Sequence, residues 1–324
     1  MLSDLGLQMP DRRIVTAAPA HSTFQRFSDQ CILLLEAGPS APGDPEIEVP
    51  GLRGSIAGGP LDRNLTTVPQ RHAHDRNVPQ ARGKVLGGSS AMHQLIWNRA
   101  ARAEYDALEQ LGNPNWNWQS MLQYMRRSEE ARSDAEGMSD ILFHDGHAGP
   151  LGYPSLAPDL FGRDFFGLTG ILMHPFSRGN VHITGPSMNA TPALDPHYLE
   201  AAHDLHTLVE AVRLMRRIAA TEPLASTWDQ EYLPGGQVSM KVMMIWKDMF
   251  GRQRFTLWHT MGTCSMLPYA DGGVVDPELK VYGTSNLRIA DASVIPVIIS
   301  AHPQSLVYAI AEKAADIILS IHGA

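Results

Sequence analysis

A chain of 324 residues with 44% hydrophobic composition can bury a substantial core and fits one large or two modest globular domains, which excludes a disordered tail or a mini-scaffold. Its formal net charge of -8, with no cluster of Lys and Arg interleaved by aromatics, offers little attraction to a phosphate backbone or an anionic bilayer. Neither nucleic acid nor membrane is an expected partner. The two cysteines, Cys31 and Cys264, lie outside any CxxC spacing and read as free thiols, with no metal site expected.

In chain order, the amino-terminal stretch carries charged residues where a secretory leader needs an apolar run, so a cytoplasmic location is expected. Cys31 to Pro39, CILLLEAGP, is a short continuous apolar run closing on Glu36 and Gly38, the pattern of a fully buried parallel strand. A Gly/Pro-dense loop runs from Ser40 to about Pro79. In Arg82 to Trp97, RGKVLGGSSAMHQLIW, the run Gly87, Gly88, Ser89, Ser90 reads as a turn feeding a helix amino terminus, where backbone N–H groups can face an anion.

Residues 103–132 predict two amphipathic helices broken at Gly112-Asn113-Pro114, with Asn117 capping the second. Residues 133–170 read as irregular. From Asp204 onward, Leu205, Leu208, Val209, Val212, Met215 and Ile218 recur on one helical face, which argues for packing rather than chemistry. Gly272-Gly273 turns into Val274-Val275-Asp276, and Asn286 to Pro296 reads as a strand closing on Asp291. His302-Pro303-Gln304 then opens a long helix through Ile321, with proline at its first position. A histidine therefore stands at a helix amino terminus.

Three blocks carry a resemblance: LLLEAGP near the start, RGKVLGGSSA in the first third, and HTMGTCSM with GGVVDPELKVYGTSNLRIADASVIP and SAHPQS at the end. Together they resemble the glucose-methanol-choline (GMC) oxidoreductase family, FAD-dependent enzymes that oxidise alcohols by passing a hydride to flavin, in its fungal aryl-alcohol-oxidase and glucose-oxidase branch. The resemblance implies an α/β fold: a discontinuous FAD-binding Rossmann-like domain from residues 1–100 and 255–324, with a reduced α+β substrate (cap) domain from 101–254. It implies FAD as cofactor, a small alcohol as substrate, and oxygen or a quinone as electron acceptor.

The resemblance also assigns roles. Glu36 would accept the adenosine ribose hydroxyls, while Arg82, Gly87, Gly88, Ser89 and Ser90 would lie along the pyrophosphate. Asp291, Ala292, Pro303 and Gln304 would lie beside the flavin, and His93 stands where an Asn near the flavin is usual. His259 would be the base and His302 its hydrogen-bonding partner. The residue types suit the chemistry, because a neutral imidazole accepts a hydroxyl proton near neutral pH and a helix amino terminus stabilises negative charge.

Two departures shape the expectation. The slot of the family's glycine fingerprint holds Val15-Thr16-Ala17-Ala18-Pro19-Ala20, with no glycine and one N–H fewer at Pro19. Relatives also carry a long substrate-domain stretch between about residues 150 and 174 that this chain lacks. The alternative reading is a shortened family member that keeps the fold without retaining FAD. A nicotinamide-linked enzyme or a hydrolase is disfavoured, since no GxGxxG or GxSxG follows a predicted strand.

Overall fold

The computed structural model describes residues 13–14, 32–33, 35–52, 54–129, 144–147, 164–187, 190–232, 235–236, 238 and 256–321. Cys31 and the Val15 to Ala20 slot lie outside the described residues. Within them, β1 (Arg13–Ile14) pairs in parallel with β2 (Ile32–Leu33), Arg13 opposite Ile32. Parallel strands cannot be joined by a two-residue hairpin. Leu35 is exposed, so the apolar run is not buried along its whole length.

After a one-turn helix α1 (Pro45–Glu48), β3 (Leu65–Thr66) pairs antiparallel with β4 (Pro79–Gln80), Leu65 opposite Gln80. A second antiparallel pair joins β7 (Asn180–His182) to β8 (Ala193–Asp195). The two ladders meet where Val68 N–H donates to the Leu194 carbonyl at 2.8 Å. Buried Gln70 strengthens the junction, donating to Asp195 at 2.9 Å and accepting the Tyr198 amide at 3.1 Å. Residues 133–170, expected to be irregular, contain the antiparallel pair β5 (His144–His147) and β6 (Asp164–Gly167), whose mixed Gly, Asp and His content hides any strand alternation.

The main core lies between α2 (Arg102–Gln110), α3 (Trp118–Arg127) and the carboxy-terminal helix α5 (Gln304–Ile321). Tyr105, Leu108, Trp116, Met121 and Met125 pack against Met266, Leu279, Ile295, Ile299, Leu306 and Ile310. At about 1.5–3 kcal/mol for each large side chain buried, this cluster outweighs the smaller ones around Ile56 and Val209 among the described residues. The predicted break and cap are where the sequence put them. Asn113 donates to the Leu108 and Met266 carbonyls at 2.9 and 3.0 Å, and Asn117 Oδ1 accepts the Ser120 amide at 3.0 Å. The helix predicted from Asp204 is α4 (Ala202–Ala219), with Val209 and Val212 buried beside Leu205 and Met215, although Ile218 is exposed.

Two further expectations are corrected. Residues 286–296 form no regular strand. The chain doubles back at Gly283, with φ +76°, making one isolated bridge between Lys280 and Arg288, and Asp291 then caps a 3-10 turn over Ala292–Val294. The glycine run opens only a 3-10 turn, Gly88–Met92, because Gly87 and Gly88 both have positive φ and Leu95 at +61° stops continuation. Among the described residues, no helix is long and apolar enough to cross a membrane.

Candidate active site

A cavity of about 2700 Å³ is lined by residues from both halves of the chain. Its walls come from distant parts of the chain, and glycine makes their contact possible. A Cβ on Gly38 would stand 1.9 Å from the Lys84 carbonyl oxygen, and one on Gly83 would stand 2.2 Å from that of Gly88. Backbone-to-backbone packing therefore seats the Glu36 loop on the 83–90 turn, reinforced by Leu86 N–H donating to Pro39 O at 2.9 Å.

Of the residues singled out from sequence, Glu36, Arg82, Gly88, Ser89, Ser90 and His93 border this cavity from the amino-terminal half. His259, Asp291, Ala292, His302, Pro303 and Gln304 border it from the carboxy-terminal third. Gly87 lies outside the lining and serves the turn, with φ +95°. Some polar groups are engaged within the protein: Glu36 Oε1 accepts the Gly38 amide at 2.9 Å, Ser89 Oγ accepts the Gly83 amide at 3.2 Å, and Asp291 Oδ1 accepts from Ser293.

The imidazoles of His259 and His302, 43 residues apart in sequence, meet edge to face with ring centres 4.9 Å apart and planes at 83°. His259 follows Trp258, an aromatic residue held at φ +61°, where L side chains are uncommon. His302 directly precedes the proline that opens α5. Its backbone N–H donates to Asn98 Oδ1 at 3.0 Å, and Ser305 Oγ donates to the Asn98 carbonyl at 2.6 Å. Upstream, Glu104 on α2 accepts the Ser300 amide at 2.6 Å and also the Ser300 hydroxyl.

Electrostatics set the protonation of both rings. Burial, the neighbouring His302 and the Arg82 guanidinium together push the His259 pKa down from 6.5 to about 4. Burial alone lowers His302 and His93. At neutral pH His259 is therefore uncharged and able to accept a proton. His93 Nδ1 accepts the Leu95 amide at 2.9 Å, so the neutral ring carries its proton on Nε2. His302 Nδ1 is buried with no hydrogen-bond partner within the protein, as are Gln80 Oε1 and Asn113 Oδ1. Arg82, half-buried and lowered in pKa chiefly by desolvation, donates to Ala81 O at 2.7 Å and to Thr260 Oγ1. Among the described residues no His/Cys/Asp/Glu group is arranged to hold a metal ion.

Asn98, Glu104, Trp258 and Thr260 were not singled out from sequence. Each acts across a long stretch of chain, and no local spacing signals such a reach.

Comparison with known proteins gives a consistent answer. Profiles described as GMC oxidoreductase match residues 47–213 and 175–311. The GMC oxidoreductase family protein Mala s 12 of Malassezia sympodialis is 43% identical over 164 residues, covering 50% of this chain and 26% of that protein. The matched region thus spans about a quarter of that relative's length. Among solved structures, pyridoxine 4-oxidase from Mesorbium loti superposes with a TM-score of 0.78 at 19% identity, over 97% of this chain and 99% of that one. An FAD-dependent oxidoreductase from Chaetomium thermophilum gives 0.76 at 15% identity, over 97% and 99%. The fold is therefore α/β, a Rossmann-like domain with a substrate domain.

Proposed function

The chain belongs to the GMC oxidoreductase family, and on that premise we propose that it is a flavin-dependent oxidoreductase acting on the CH–OH group of a small alcohol. The observation that carries the reading is the His259–His302 pair at 4.9 Å, on the wall of a cavity that Glu36 and the 88–90 turn also line. At about 2700 Å³ the cavity exceeds the roughly 300–1,000 Å³ of ordinary ligand sites, so it can admit an extended cofactor together with a substrate. The partnerless His302 Nδ1 fits the same occupancy.

FAD, when bound, supplies the acceptor for the carbinol hydride. Glu36, with one oxygen committed to Gly38 and a second available, would take the ribose end. The 88–90 turn would line the pyrophosphate, with Arg82 adding positive charge. Pro303 and Gln304 at the start of α5 would present the positive end of an 18-residue helix to the flavin ring. His259, neutral at pH 7, accepts the substrate hydroxyl proton, and His302 holds the same oxygen by hydrogen bonding. Two rings this close can both reach one hydroxyl.

The test is alcohol-dependent bleaching of the flavin band without oxygen, across aromatic and aliphatic alcohols, in the original chain and in His259→Gln. Bleaching in the original chain, slowed by about 10²–10⁴-fold in the variant with FAD still bound, is expected of a lost general base. Equal rates in both would remove the mechanism. The second reading, a family member that keeps the fold without FAD, is favoured by the glycine-free Val15 to Ala20 slot. A folded chain that never takes up FAD would establish it.

A further inference from the structure

The loop that carries His259 is tied down on both sides of the histidine to one short stretch of chain far away in sequence. On one side Trp258 Nε1 donates to the Pro79 carbonyl at 2.9 Å. On the other, the Arg82 guanidinium donates to Thr260 Oγ1. Pro79 and Arg82 are themselves fixed. Pro79 and Gln80 form β4, paired with β3; the Arg82 amide donates to Asp62 Oδ1 at 2.9 Å, and its carbonyl accepts from Arg63 N–H at 2.8 Å. The loop needs such support, because Trp258 at φ +61° is an unfavourable backbone state for a bulky side chain and persists only where the surroundings impose it.

We propose that Arg82 and Trp258 are positioning residues, which clamp the strained 258–260 loop onto β4 and the residues just after it so that the His259 ring stays in the cavity wall beside His302. The idea rests on the proposed reading for the importance of His259, but the clamp itself needs neither flavin nor turnover to be measured. It also gives Arg82 a role beyond cofactor contact, since Nη1 donates to the Ala81 carbonyl and Nη2 to Thr260 Oγ1. The charged and titratable groups facing His259 are His302 and Arg82. Release of the loop lets water reach the imidazole.

The experiment is histidine NMR on the ¹³C-labelled chain, with His259 assigned through His259→Gln, together with amide exchange over residues 256–262. The variants are Arg82→Met, Arg82→Lys, Trp258→Phe and Thr260→Val. His259 of the original chain is expected to titrate at about 4. In Arg82→Met the midpoint should rise by about one unit or more, as a cation and a tether are lost together, and Arg82→Lys should restore most of it. Trp258→Phe and Thr260→Val each delete one hydrogen-bonding group and leave the charge in place. They should speed exchange in the loop about tenfold, and both carry the test if Arg82→Met does not fold.

Unchanged exchange in Trp258→Phe and Thr260→Val would overturn the clamp, even if Arg82→Met shifts the titration, because that pattern is charge alone. A faster-exchanging loop in a chain that holds no FAD would uphold the clamp while refuting the proposed function.

Discussion

Glu104, in the first turn of α2, accepts the backbone N–H of Ser300 at 2.6 Å across 196 residues of sequence. The same carboxylate takes the Ser300 hydroxyl and lies 3.4 Å from His174 Nε2. Burial would raise its pKa, but the Ser300 bonds and His174 outweigh burial and lower it. Its stabilisation is therefore present above the ordinary carboxylate range and is lost as pH falls through the lowered value.

Because Ser300 stands two residues before His302, replacing Glu104 acts on both stability and site geometry. Glu104→Ala should cost about 0.5–1.5 kcal/mol in denaturant unfolding, the net worth of an ordinary hydrogen bond, because Ser300 is exposed and water can replace the lost acceptor. Glu104→Gln should cost less, since an amide oxygen still serves one donor. A loss near zero in both would show that the Ser300 turn holds itself.

Asp204 is a buried carboxylate at the start of α4, accepting the Phe176 amide at 2.6 Å and the Ser177 amide at 3.0 Å. It combines two charge-assisted bonds with a favourable position at a helix amino terminus. Asp204→Ala should destabilise by roughly 2–4 kcal/mol and loosen the wall formed by residues 175–179, with Asp204→Asn intermediate. Denaturant midpoints measure this order.

Lys313 sits within α5, its ammonium donating to the Asn115 carbonyl and Ser120 Oγ and lying 4.5 Å from the centre of the Trp116 ring. Desolvation lowers its pKa from 10.5 to about 8, against a smaller opposing pull from Glu109. Between those values the unfolded chain binds more protons than the folded one, so stability should rise with pH from about 8 to about 10.5. The gain, discounted for partial solvent screening, is about 1–2 kcal/mol. Thermal unfolding across that window checks the sign, and Lys313→Met should abolish the slope.

Much of this was legible in sequence where the signal is local. Asn117 as a cap, the break at Gly112-Asn113-Pro114 and Pro303 opening α5 each depend on residues within a turn of one another. The 3-10 turn at Gly88–Met92 was read as a longer helix because apolar spacing alone cannot register the positive φ at Leu95. Bonds such as Glu104 to Ser300 and Arg82 to Thr260 were not legible at all. Their partners lie 196 and 178 residues apart, and only tertiary packing decides which carboxylate meets which amide.

As the proposed base, His259 should set the acid limb of the proposed alcohol oxidation. The base works in its neutral form, and with a pKa of about 4 that form persists well below the usual imidazole range. The kcat/KM profile should therefore stay level from pH 7 down to about 5 and fall as the pH drops through about 4. In Arg82→Met the limb should move upward, since one of the charges opposing protonation is gone. A limb near 6.5 in the original chain would mean that the ring is solvated when it works.

The proposed function requires the cavity lined by Glu36 and the two histidines to hold a flavin. The most direct measurement is the ratio of flavin absorbance to protein in the purified, folded chain, before and after incubation with excess FAD. A ratio near one, retained through gel filtration, is the expected result. Folded protein that stays colourless after incubation and filtration would contradict it.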